Sequence, residues 1–178
     1  MTETVLVRYG AIPVVARCRA ECEEHLSRGL RVIVNTSRGL ELGTVLESLN
    51  GQNVQPATAT EDSDAAPQFS VLRPASSDDE TQVAALQTDC QNQYADWQRR
   101  IEGWKLDLEL IDLEWTLDRS RLILYVLNER GPDCTKLALQ AAAAGLGTIE
   151  VQPVDAEGLM QPEAAGGGCG SGGCGCSH

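Results

Sequence analysis

Short hydrophobic runs separated by glycine characterise the first 50 residues. The runs are bounded by Gly10, Gly29, Gly39 and Gly43. Such spacing is typical of short strands joined by tight turns, so it predicts a small β-rich unit over residues 1–50. Within this unit, we expect residues 17–28 to form one helix that stops at Gly29.

A different composition follows in residues 51–67 (GQNVQPATATEDSDAAP), which are small, polar and poor in large apolar side chains. This segment is predicted to be a linker. Residues 68–74 (QFSVLRP) then have the pattern of one strand ending at Pro74.

One long amphipathic helix is predicted to begin at Ser77. Ser77 and Glu80 have the spacing of a capping box. Apolar or semi-apolar side chains then recur in steps of three and four, which places them on one stripe of a helix. The stripe consists of Val83, Leu86, Cys90, Tyr94, Trp97, Ile101 and Trp104.

Residues 106–118 alternate as a strand does, but the phase changes near Leu110, which predicts a β-bulge there. A turn leads into a second strand over residues 121–128 (RLILYVLN), which is apolar on both faces. A helix opening at Pro132 and a last strand over residues 148–154 complete the series.

The order of elements over residues 68–155 is β-α-β-β-α-β, which predicts a ferredoxin-like domain. The fold class is therefore α+β, with the β-rich unit first and a disordered Gly/Cys-rich tail over residues 156–178 last. Helices cover only one face of such a sheet. We therefore expect the β-rich unit or a partner protein to bury the other face of the doubly apolar strand.

Charge and cysteine content narrow the function classes. The chain of 178 residues has 14 Lys and Arg against 26 Asp and Glu, a formal charge of −12, so direct binding to nucleic acid is not expected. No secretory signal precedes the first strands, and the apolar run over residues 122–127 is too short to span a membrane. Seven cysteines, an odd number, argue against a disulfide framework. We expect a cytoplasmic protein with no membrane association.

The tail contains the closest grouping of potential metal ligands in the sequence, because Cys169, Cys174, Cys176 and His178 fall within ten residues. Thiolate and imidazole groups are ligands for soft metals, and the surrounding glycines let the chain curl around an ion. These four residues are the predicted metal site, for zinc or an iron–sulfur cluster.

Other candidate residues have a simpler structural interpretation. Cys18, Cys22 and His25 could share one face of the predicted first helix and bind a metal, but we favour packing against the β-rich unit. Cys90 lies on the apolar stripe and is expected in the core. Cys134 begins the second helix, where a thiolate would be stabilised.

Paired carboxylates alternate along the strand near the bulge. Asp107 with Glu109, and Asp112 with Glu114, could act in acid/base catalysis, although a solvated face is the favoured interpretation. No Gly-rich phosphate loop, nucleophile elbow or Ser/His/Asp set occurs in the sequence. Catalysis is therefore poorly supported.

Two segments, which we call the family-like segments, are similar to motifs of a known family. Residues 37–45 (SRGLELGTV) are similar to its RG-x-E-x-G-x-V, and residues 110–120 (LIDLEWTLDRS) to its LVDVEFTFDRSK. The helix cysteine, a helix start at residues 132–134 and a closing strand at residues 148–150 follow in the same order. Over residues 1–155 the chain thus resembles the bacterial PSP-one C-terminal homology family of YaaT/RicT-like stage-regulation proteins.

The resemblance implies a non-catalytic regulatory adaptor that docks protein partners in a small complex. Such family members hold a 4Fe-4S cluster through tail cysteines, at a place matched here by Cys169, Cys174 and Cys176, and influence RNA processing by a membrane-tethered ribonuclease. Zinc is the alternative to the cluster. Two other functions stay open: a metal-handling protein that passes zinc or iron to others, and a small-molecule enzyme with its site between the two domains.

Overall fold

The computed structural model describes residues 3–49, 66–127, 132–156 and 158–160. Its elements form two sheets and two helices. The strands are β1 (Thr4–Tyr9), β2 (Val14–Ala20), β3 (Arg31–Asn35), β4 (Leu40–Ser48), β5 (Phe69–Pro74), β6 (Glu109–Trp115), β7 (Leu122–Leu127), β8 (Ile149–Asp155) and β9 (Gly158–Leu159). The helices are α1 (Ser77–Gly103) and α2 (Asp133–Ala143). The chain is α+β, as predicted.

The β-rich unit is a closed barrel with strand order β1-β2-β5-β3-β4. Side chains that alternate along each strand fill its interior, because successive residues of a strand point to opposite faces. The helix expected over residues 17–28 is absent: β2 continues through Ala20, with Ala16, Cys18 and Ala20 buried and Arg19 exposed. This period of two identifies a strand, and burial in the barrel outweighs the short helical pattern.

The expected ferredoxin-like arrangement is also corrected, because β5 belongs to the barrel. β5 pairs in parallel with β2, where Cys18 lies opposite Phe69, and antiparallel with β3. Its central side chain, Val71, is fully buried in the barrel core. The second sheet therefore consists of β6-β7-β8-β9 and lacks the strand that sequence order placed first.

Helix α1 matches its predicted length closely. Its N-cap is Ser76 rather than Ser77, and Asp79 completes the capping box in place of Glu80. Arg73 holds the Asp79 carboxylate with two hydrogen bonds of 2.5 and 2.9 Å. The predicted stripe is the packing face of the helix, since its buried apolar residues are Leu86, Cys90, Trp97 and Ile101.

The predicted bulge and the doubly covered strand are both confirmed. The β6–β7 register shifts between Leu110 and Asp112. On β7, Leu122, Leu124 and Val126 pack in the same core as both helices. The opposite face buries Ile123 and Tyr125 completely, against Ile12 of the β-rich unit among others. The lid on this face therefore comes from the chain itself.

The predicted linker lies outside the described residues up to residue 65, as does the tail from residue 161 onward. Strand β9 pairs with the end of β8 inside the segment predicted as tail. No helix in the described ranges is long and apolar enough to cross a bilayer.

Candidate functional site

The two family-like segments meet where the barrel packs against the second sheet. The backbone N–H of Leu117 donates to the carbonyl of Leu40 at 2.7 Å. Gly39 lies so close to the β6–β7 turn that a Cβ there would stand 3.2 Å from Ser120 Oγ and 3.3 Å from Asp118 Oδ1. Segments separated by more than 60 residues in sequence therefore build one junction.

A buried ion pair occupies the barrel side of this junction. Arg38 Nη2 donates to Glu41 Oε1 at 2.5 Å, and Arg38 Nε donates to Glu41 Oε2 at 3.3 Å. The hydroxyl of Thr36 donates to Glu41 Oε2 at 2.6 Å. Arg38 is 8% exposed and Glu41 is 3% exposed. Both charges are thus removed from water and satisfied by each other, as buried charges require.

The same arginine reaches across to the second sheet. Arg38 Nη1 donates to the hydroxyl of Tyr125 at 2.9 Å, and this hydroxyl donates to Glu114 Oε2 at 2.5 Å. The guanidinium also lies 5.6 Å from the ring centroid of Tyr9, within cation–π range. We call Thr36, Arg38, Glu41, Glu114 and Tyr125 the junction network.

Burial sets the protonation of this network. It raises the pKa of Glu41, against the opposing effect of the Arg38 guanidinium. Burial, reinforced by the Glu114 carboxylate, raises the pKa of Tyr125, so its hydroxyl stays protonated and can donate. Burial and then Glu41 raise the pKa of Tyr9 to about 12. The two tyrosines are therefore neutral hydrogen-bonding groups at physiological pH.

The glycines of the first family-like segment have steric roles. Gly39 has φ +140°, which L side chains rarely adopt. Gly43 points into the barrel, where a Cβ would lie 2.5 Å from Val7 Cγ1. Together with the ion pair of Arg38 and Glu41, these positions account for the R-G-x-E-x-G pattern as a set of packing and charge constraints.

A cleft of about 720 Å³ opens beside the network. Its walls are the outer face of the barrel, helix α1 and strand β6. The lining includes Arg8, Arg31, Gln91, Tyr94 and Asp112. We call it the junction cleft. Its volume is in the range of about 300–1,000 Å³ that is usual for small-molecule sites.

The predicted metal site at Cys169, Cys174, Cys176 and His178 lies outside the described residues. Within the described part of the chain, no group of three or more His, Cys, Asp or Glu side chains is placed to hold a metal ion. Cys18, Cys22 and His25 in particular do not share a helix face.

Three other cysteines of the folded body pack within its hydrophobic cores. Cys18 is inside the barrel, and burial raises its pKa to about 11. Cys90 is buried on the helix stripe, as expected, and burial raises its pKa to about 11. Cys134 lies in the first turn of α2 and is partly buried against the helix-covered core. A raised pKa is the opposite of what a nucleophilic thiol requires.

The paired carboxylates divide into two groups. Asp107, Glu109 and Asp112 are exposed, as a solvated face should be. Glu114 instead accepts from Tyr125. Sequence reasoning missed Arg38, Glu41 and Tyr125 as a network. A signal was present, because Glu41 occupies an inward position of β4, in phase with buried Val45, where a charge needs a partner.

The sequence matches no protein-family model and no curated protein, and the structure matches no solved structure. The resemblance to the PSP-one C-terminal homology family therefore stays a prediction.

Proposed function

We propose that this protein is a non-catalytic regulatory adaptor. Its folded body docks partner proteins in a small complex, and its C-terminal residues Cys169, Cys174, Cys176 and His178 hold an iron–sulfur cluster or zinc. The observation that supports a non-catalytic body is the junction network, in which Arg38 and Glu41 engage each other and Glu114 accepts a hydrogen bond from Tyr125.

A catalytic role for these groups has a physical obstacle. A general base needs a free acceptor within reach of the substrate proton. Both carboxylate oxygens of Glu41 already accept hydrogen bonds from Arg38 or Thr36, and Glu114 accepts from Tyr125. Breaking such a buried pair costs about 3–5 kcal/mol, so these groups are better suited to holding the barrel on the sheet.

The tail groups soft-metal donors in sequence, whereas no such group occurs among the residues of the body that the structure describes. Three thiols and an imidazole within ten residues suit a soft metal, and glycine imposes no steric penalty on a loop around it. The thiolates must be deprotonated to bind, so loading releases protons and depends on pH. A link to RNA processing, through a ribonuclease partner, comes from the family resemblance.

The junction cleft favours a second candidate, a small-molecule enzyme with its site between barrel and sheet. Glu41, whose pKa is raised, lines this cleft. Its engagement with Arg38 argues against its use as a base. A third candidate, a metal-handling protein, uses the same tail residues as the adaptor.

Anaerobic purification of the full chain, followed by iron, sulfide and zinc analysis, tests the proposal. We expect stoichiometric iron and sulfide with broad visible absorption, or tightly held zinc. The metal should be lost in the triple variant Cys169→Ser, Cys174→Ser, Cys176→Ser and retained in the control Cys22→Ser, which removes a thiol of the body.

The outcomes separate the candidates. Zinc that transfers readily to a chelator would favour the metal carrier over the adaptor. Equal metal content in the triple variant and the wild type, or no metal in either, would refute the tail site. In cells, loss of the protein and the triple variant should alter the processing of the same transcripts. Unchanged transcripts in both would refute the link to RNA processing.

A further inference from the structure

Three polar side chains form a row across the outer face of the barrel. In the β1–β4 ladder Arg8 lies directly opposite Thr44, and in the β3–β4 ladder Arg31 lies directly opposite the same Thr44. Directly opposed residues have Cβ atoms about 5 Å apart and point to the same side of the sheet. The row therefore places an arginine on each side of one threonine, on the same face of the barrel. All three residues line the junction cleft.

Both guanidinium groups are available to a ligand. The Arg8 side chain is exposed and makes no ion pair with any residue that the structure describes. Arg31 approaches Glu80 at 3.9 Å, but their side chains are 49% and 54% exposed. Such an exposed pair contributes little and is readily exchanged for a ligand anion. Arginine pairs suit oxyanions in particular, because the planar fork can donate two parallel hydrogen bonds.

The other residues that line the cleft determine which end of a ligand can be anionic. Helix α1 contributes the amides of Gln87 and Gln91 and the ring of Tyr94 to the opposite wall. Of the carboxylates that line the cleft, Glu41 and Glu114 are engaged in the junction network, and Asp112 of β6 is exposed. The Asp112 carboxylate repels an anion and can accept hydrogen bonds from a ligand. The cleft therefore favours a ligand with an anionic group at the end that meets Arg8 and Arg31 and with hydrogen-bond donors at its other end.

We propose that the junction cleft binds a small phosphate-bearing molecule, with its phosphate between Arg8 and Arg31 and a hydrogen-bond-donating end directed toward β6. A cleft of about 720 Å³ is large enough for a mononucleotide. In a chain with a net charge of −12, two arginines on one cleft wall make a local site for an anion that the protein as a whole repels. This site uses neither the tail nor a metal, so it goes beyond the proposed adaptor function.

Isothermal titration calorimetry on the full chain tests this site with adenosine monophosphate, inorganic phosphate and adenosine as probes. We expect adenosine monophosphate to bind, phosphate to compete for its site more weakly, and adenosine to bind at least ~10-fold more weakly than the monophosphate. The double variant Arg8→Gln, Arg31→Gln should lose at least ~10-fold in affinity. The matched control Arg19→Gln, Arg28→Gln removes the same charge from exposed positions that do not line the cleft, and its affinity should stay within ~2-fold of the wild type, since salt screens surface charges that do not contact the ligand.

Three results would overturn the proposal. The first is that adenosine binds as tightly as the monophosphate, and the second is that the two double variants lose equal affinity. The third is that neither phosphate probe binds at ~1 mM, which corresponds to a binding free energy of about −4 kcal/mol. Thermal unfolding of each variant, with and without the probe, provides a second measurement. A ligand-induced rise in Tm in the control pair that is absent from the Arg8 and Arg31 pair supports the site. The metal content of the tail is independent of all these outcomes.

Discussion

The guanidinium of Arg38 donates to the hydroxyl of Tyr125 at 2.9 Å, joining two residues that are 87 positions apart. Arg38 belongs to the first family-like segment in the barrel, and Tyr125 lies on β7, between β6 and β8 in the second sheet. The hydrogen bond therefore links the barrel to the sheet face that it covers. A sequence motif that resembles part of a family signature thus contributes to the architecture of the junction.

Removing the charge of Glu41 should destabilise the protein strongly. In Glu41→Gln, the buried guanidinium of Arg38 loses its counter-charge, and we expect a loss of about 3 kcal/mol in the free energy of unfolding. Urea denaturation at neutral pH measures this. The control is Glu80→Gln, which removes the exposed partner of Arg31 and should cost no more than about 0.5 kcal/mol. Equal effects of the two substitutions would contradict the importance of burial.

Gly43 should not tolerate a methyl group. A Cβ at this position would stand 2.5 Å from Val7 Cγ1 and 3.3 Å from the Arg8 carbonyl, so Gly43→Ala must displace the barrel wall. We expect a cost of about 2 kcal/mol by thermal unfolding. Gly103→Ala, at the end of α1 with open space around it, should instead stabilise by about 0.5 kcal/mol. A Gly43→Ala variant as stable as the wild type would show that Val7 can move away from this position at no cost in stability.

Asp79 should make the protein less stable as the pH falls into the acid range. The hydrogen bonds from Arg73, and then those from Ser76, lower the pKa of Asp79 from its ordinary value of 3.8. Because the pKa of Asp79 is lower in the folded than in the unfolded protein, its carboxylate stabilises the fold at pH values above the unfolded pKa. This contribution is lost as the pH falls toward the folded pKa. Asp79→Asn should therefore cost about 1 kcal/mol at pH 6 and progressively less below pH 4.

The neighbouring substitution Asp78→Asn is the control for the first turn of α1. Asp78 is exposed and lies outside the capping box, so its loss should have a small effect. Denaturation curves of the wild type and both variants between pH 2 and pH 6 provide the comparison. A penalty for Asp79→Asn that does not shrink in acid would argue against this ion pair and cap.

Much of the local structure could be predicted from periodicity. The apolar stripe of α1, the phase change at the bulge and the two apolar faces of β7 each follow from side-chain spacing alone. The burial of Tyr125 by the β-rich unit was among the predicted alternatives. These features depend on residues close in sequence, and there the pattern of hydrophobic positions is a strong constraint.

Strand pairing could not be predicted in the same way. The segment Phe69–Pro74 was identified as a strand, but its neighbours β2 and β3 are distant in sequence, and no local pattern selects them. The helix predicted over residues 17–28, with Gly29 as its stop, is wrong, because β2 continues through Ala20. The alternation of buried Ala16, Cys18 and Ala20 was the competing signal, and it was the correct one.

The junction network was missed for a related reason. Arg38 and Glu41 are three residues apart, a spacing typical of a surface pair, whereas both are buried in the fold and Arg38 contacts Tyr125 of the distant strand β7. Only the inward phase of Glu41 on β4 indicated that this charge would be enclosed. The cleft residues Arg8 and Arg31 likewise come together only through the register of the barrel.

The central claim is that the family-like segments form a structural junction, and a double-mutant cycle between Arg38→Lys and Tyr125→Phe tests it most directly. Lysine keeps the charge beside Glu41 but lacks the planar fork that reaches the tyrosine hydroxyl. We predict that each single variant is destabilised and that the coupling free energy between the two positions is at least about 1 kcal/mol in urea denaturation. Effects that add to within about 0.3 kcal/mol would contradict the claim, since the two residues would then contribute independently.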